Sequence, residues 1–176
     1  MRFFIIVAFA VGLSGCFETL KEPTTQAVAA LPAITADAPL AALAPYVGKT
    51  WVSGTPGGKF HDVSKWEWSV PGRVLLVTHS VNNGVYSGAT IIHWDEMRET
   101  IVARYATSAS FYTDGVYTLT EKGFDALETV KGASSGIEQV KSSMELSEGA
   151  MKVSSQYRQN GEWSEIEHRT YRELEE

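Results

Sequence analysis

"VKSSMELSEGAMKVSSQYRQNGEWSEIEHRT", residues 140–170, holds two glycine-bearing dipeptides, Glu148-Gly149 and Asn160-Gly161. Each places glycine where a two-residue hairpin turn requires positive φ. A turn at Glu148-Gly149 sets Leu146 opposite Met151, Met144 opposite Val153 and Val140 opposite Tyr157. A turn at Asn160-Gly161 sets Tyr157 opposite Ser164, Ser155 opposite Ile166, Val153 opposite His168 and Met151 opposite Thr170. Side chains alternate along a strand, so all of these share one face. The polar pairs Glu145/Lys152 and Lys141/Gln156 take the other. Two hairpins thus assign the same inner face, and a one-residue slip would turn that face outward.

The same punctuation runs back to Tyr46. Asn83-Gly84, Asp114-Gly115 and Lys122-Gly123 read as tight turns, and residues 95–98 and 132–136 as looser ones. The segments between are β-branched and aromatic, without helical periodicity. Strands joined by short turns form an antiparallel meander, and about ten of them avoid open edges by closing on themselves. The expectation is an all-β, up-and-down barrel of about 8–10 strands over residues 46–174. In residues 73–81 and 89–94 both faces are apolar, so the pattern there does not assign an inner side.

The amino terminus belongs to another class of signal. Arg2 precedes an apolar run from Phe3 to Leu13, shorter than the ~20 residues a membrane-spanning helix needs. Leu13-Ser14-Gly15-Cys16 resembles the lipobox of bacterial lipoproteins, and Cys16 is the only cysteine. The resemblance implies a signal peptide over residues 1–15, lipidation (palmitate included) of Cys16, and anchoring to a membrane of the cell envelope. In a Gram-negative host, Phe17 at the following position implies the outer membrane, periplasmic face. Residues 16–45 are rich in Ala, Pro and Thr and read as a lipidated tether, with a turn or two of helix around Pro39 to Leu43. A single acylated thiol also suits an oxidising compartment.

The chain carries formal charge −6, and −7 once residues 1–15, with Arg2, are removed. Acidic and without a basic run, it has no electrostatic footprint for nucleic acid. The strings at 65–95, 108–123 and 157–163 are similar to a group of uncharacterised bacterial calycin-like proteins, related in architecture to lipocalins. That resemblance spans roughly Leu43 to Leu174 and implies a fold, with no activity attached.

The chemistry-bearing residues point the same way. Gly48-Lys49-Thr50 lacks both the upstream glycine and the following helix of a phosphate loop. His61, His79, His93 and His168 show no metal-ligand spacing, so no metal and no cofactor are assigned. Haem through an inward His168 is a remote alternative. No nucleophile elbow is present, and Glu165 and Glu167 point away from His168's face, so no enzyme is expected. Trp66 and Trp68 share one face of a strand, with Lys65 and Glu67 on the other. They read as barrel core or as the aromatic wall of a ligand pocket, to which Arg104, Tyr105, Tyr157 and His168 would add polar groups. Two function classes follow. One is a lipid-anchored, non-catalytic barrel binding a small hydrophobic or amphipathic ligand. The other is a structural lipoprotein with a filled barrel, acting through its surface. Nothing in the sequence assigns an oligomeric state.

Overall fold

The computed structural model describes Thr35 and residues 38–175. Residues 1–15, read as a signal peptide, Cys16 and most of the segment read as a tether lie outside the described residues. A short 3-10 helix, Ala41–Tyr46, precedes eleven strands. These are β1 (Lys49–Gly54), β2 (His61–Val70), β3 (Val74–Val81), β4 (Tyr86–Asp95), β5 (Thr100–Thr107) and β6 (Tyr112–Leu119), then β7 (Gly123–Lys131), β8 (Ile137–Ser147), β9 (Ala150–Gln159), β10 (Glu162–Trp163) and β11 (Glu167–Glu173). Each of β1 to β9 pairs antiparallel with the next, β9 pairs with β11, and β11 returns to β1. The result is a closed ten-strand up-and-down barrel, from which β10 extends the β9 hairpin.

The turn reading holds at the carboxy-terminal hairpins. Glu148 and Gly149 have φ of 54° and 72°, Asn160 and Gly161 of 53° and 83°, the doubly left-handed geometry of a type I′ turn. Asp114-Gly115 is a correction. It lies inside β6, facing Arg104 and Ala103 of β5, and the chain turns instead at residues 108–111, where Ser110 takes φ 64°. Glycine serves a packing purpose there: a Cβ at 115 would press into the Glu128 side chain, 2.7 Å from its Cγ.

The β8–β9 register is as read from the sequence, with Leu146↔Met151, Met144↔Val153 and Val140↔Tyr157. Across the next turn it holds as far as Tyr157 and Ser164, whose amide donates to the Tyr157 carbonyl at 2.8 Å. It then slips by one residue. Ser155 faces Glu167, Val153 faces Arg169 and Met151 faces Tyr171. Residues 164–166 leave the ladder, and the extra residue exchanges the two faces of β11. Arg169 and Tyr171 therefore point inward, while His168 and Thr170 are exposed on the outer wall. The inward placement of His168 is overturned, and with it axial ligation of haem inside the barrel by that residue.

One end of the barrel is packed solid. Leu40, Leu43 and Tyr46 enter it from the 3-10 segment and meet Trp51, Trp66, Leu75, Ile92, Ile101, Tyr117 and Phe124, all buried. The Tyr46 and Trp66 rings stack at 5.4 Å, and those of Tyr117 and Phe124 at 5.1 Å. The Trp51 indole donates to the Tyr46 carbonyl at 3.0 Å, pinning the helix to β1. Leu40 and Leu43, read as part of the tether, thus belong to the core.

Candidate functional site

The alternation that puts Trp66 inside also puts Ser64 and Asp62 inside, toward the opposite end of β2. That end, between the loops at 55–60, 82–85, 108–111 and 132–136, has a different composition. A chain of polar contacts crosses it. The Tyr171 hydroxyl donates to Asp62 Oδ2 at 2.8 Å, and Asp62 Oδ1 lies 3.3 Å from His79 Nδ1. His79 Nε2 is 2.6 Å from the Tyr105 hydroxyl, which reaches the Tyr86 hydroxyl at 2.5 Å. Phe111 stacks on Tyr86 at 6.4 Å and meets Tyr105 edge-on at 6.5 Å. Tyr105 lies across Gly88 of the neighbouring strand, where any Cβ would overlap its ring.

On the far wall, Glu128 of β7 accepts from Thr113 Oγ1 at 2.6 Å and from the Tyr117 hydroxyl at 3.3 Å. Burial pushes its carboxyl above the usual glutamate range, partly offset by those two hydrogen bonds. Burial likewise pushes the phenols of Tyr86, Tyr105 and Tyr171 upward, and the nearby Asp62 adds to each. Arg169 stands at the rim with its guanidinium 4.8 Å from the Phe60 ring and 2.6 Å from Glu167 Oε2.

Several inner-facing side chains here retain accessible surface, while Asp62, Ser64, Thr113 and Ser155 are buried. Val77, His79, Thr90, Tyr105, Val140 and Tyr157 are all partly exposed, whereas Trp51, Trp66, Leu75, Ile92 and Phe124 at the other end are buried. Concavities lie on the outer wall, one of about 740 Å3 running over Ile91, Val102, Val116 and Leu127.

The expected site residues separate accordingly. Tyr105 and Tyr157 face the polar end of the lumen. Trp66 belongs to the packed core, and Trp68, on the same face, packs against it. Arg104 is a correction: it projects outward, pairs with Asp114 at 2.7 Å and covers the Tyr112 ring at 5.1 Å. An aliphatic-flanked arginine carries no parity signal, and the partner that satisfies its charge is outside. Asp62, His79, Tyr86, Glu128, Arg169 and Tyr171 were missed. Parity from Trp66 and Trp68 reaches Asp62, and the Pro71-Gly72 turn then pairs Ser64 with His79. No family model matches this sequence, and no curated protein matches it significantly.

Proposed function

We propose that this chain is a lipid-anchored envelope protein whose barrel binds a small hydrophobic or amphipathic ligand without transforming it. The observation carrying this reading is the contrast in accessibility along the inner face. A side chain that points into a closed barrel yet keeps exposed surface borders space that solvent enters. Tyrosine rings supply apolar walls, and His79, Asp62 and Glu128 supply the few fixed polar groups that orient an occupant. A barrel filled throughout and acting by its surface would bury both ends alike.

Asp62, His79 and Tyr105 invite comparison with a catalytic triad. The comparison fails on the third member. Burial holds the Tyr105 phenol far above its ordinary pKa, the reverse of what an activated nucleophile requires. Binding is the better account of the network.

Titration with the neutral fluorophore N-phenyl-1-naphthylamine tests the reading. Saturable enhancement should appear with the wild type and disappear in a Tyr105→Ala, Tyr157→Ala double variant that still melts cooperatively. A wild type that gives no enhancement refutes the lumen. The anchor is tested separately: Cys16→Ser should leave the precursor unprocessed and unacylated by intact mass, and an unchanged mature mass refutes it.

A further inference from the structure

We infer that the group recognised in the open end of the barrel is an organic cation, an amine or quaternary ammonium on an apolar body. The inference rests on the lumen reading above and adds the charge of the occupant. Its first support is the balance of ionisable groups. Asp62, Glu128 and Glu167 stand on the inner faces of β2, β7 and β11, against the single guanidinium of Arg169. That guanidinium is committed at the rim, to Glu167 at 2.6 Å and to the face of Phe60.

Asp62 and Glu128 are held by hydroxyls and one imidazole. Asp62 has the Tyr171 hydroxyl and the His79 ring, and Glu128 the hydroxyls of Thr113 and Tyr117. No lysine or arginine pairs with either among the described residues. A carboxyl group taken out of water is stabilised most by a positive charge, and here the protein supplies hydrogen bonds only.

The second support is aromatic. Tyr86, Tyr105, Phe111, Tyr157 and Tyr171 ring the same space. The negative face of an aromatic ring attracts a cation, most strongly where water is excluded, and several rings together select ammonium groups. The third is a buried hydroxyl. Ser155 of β9 is inner-facing and 8% exposed, and its Oγ has no hydrogen-bond partner among the described residues. A hydroxyl in that state accepts a hydrogen bond from an ammonium N–H without competition. An anionic ligand would meet two carboxyl groups that no lysine or arginine pairs among the described residues, and one arginine already engaged.

The test uses the full chain at neutral pH with three ligands built on one phenylbutyl body: 4-phenylbutylammonium, 4-phenylbutanol and 4-phenylbutanoate, followed by calorimetry or NMR. The ammonium should bind at least about tenfold more tightly than the carboxylate, with the alcohol between. Glu128→Gln and Asp62→Asn should each erode that preference severalfold, read as the ratio of ammonium to carboxylate affinity within each variant. Glu128→Gln keeps the side-chain shape, so the comparison survives if the Asp62 variant does not fold. Carboxylate binding equal to or tighter than ammonium binding overturns the charge assignment while the lumen stands. A cation preference that persists in the variants overturns it too. If none of the three ligands binds, the lumen reading falls and the inference falls with it.

Discussion

The two ends of this barrel are built from the same ten strands and differ in what fills them. At one end a 3-10 segment inserts Leu40, Leu43 and Tyr46 among tryptophan, phenylalanine and leucine, and little surface is left. At the other, the strands present tyrosines, a histidine and carboxyl groups that hydrogen-bond sideways along the wall, and Val77, His79, Tyr105 and Tyr157 keep part of their surface exposed. The difference teaches a division of labour. Apolar burial at the closed end stabilises the barrel, and the other end carries a polar wall that contributes less stability and, in the function proposed, would contact the ligand. The 3-10 segment closes that end.

The largest expected effect falls at the closed end. Trp66→Ala removes a 2%-exposed indole stacked on Tyr46 and should cost about 3–5 kcal/mol in a urea melt. A cost below about 1 kcal/mol would mean that the closed end is not the stabilising one. Leu43→Ala should cost about 2–5 kcal/mol, because the 3-10 segment is part of the core; a neutral result would return that segment to the tether.

Tyr105→Phe sharpens the contrast from the other side. It removes the hydroxyl shared by His79 and Tyr86 while keeping the ring over Gly88, so stability should fall by only about 0.5–1.5 kcal/mol. Probe affinity should change more than stability does. If the melt shifts as far as it does for Trp66→Ala, the open end is as tightly built as the closed one.

Glu128→Gln should alter pH dependence. Burial raises the folded carboxyl's pKa, so the folded state holds that proton to higher pH than the unfolded state does. The resulting stability is present below the ordinary glutamate range, about 4.3, and is lost as pH rises through the raised value. The wild type should therefore lose stability relative to Glu128→Gln over that rise. Parallel curves would contradict the burial. Smallest of all is His168→Leu, exposed on the outer wall, which should stay within about 0.5 kcal/mol and leave probe binding unchanged.

The barrel was legible because turn chemistry is local: Glu148-Gly149 and Asn160-Gly161 announce left-handed residues, and alternation then propagates the register. The site was legible only in Tyr105 and Tyr157. Two physical causes hid Arg169 and Tyr171, and His79 and Tyr86. A single extra residue at 164–166 exchanges the faces of β11, and its signature is the absence of a ladder bond rather than any residue type. In β3 and β4, Leu76 and Ile91 face outward while Leu75 and Ile92 face inward, so hydrophobicity gives no parity to place His79 or Tyr86. Asp114-Gly115 misled for the converse reason. Glycine marks close approach as often as it marks a turn, and here it makes room for Glu128.

The most direct test is an NMR titration of the 15N-labelled protein with N-phenyl-1-naphthylamine. Saturable shifts should centre on the strand segments bearing His79, Tyr86, Tyr105 and Tyr157, with the strands around Trp66 and Phe124 unmoved. Shifts centred on Ile91, Val116 and Leu127 would place binding in the outer concavity, and the absence of any saturable shift would mean a barrel filled from end to end; either result contradicts an open, ligand-accepting lumen.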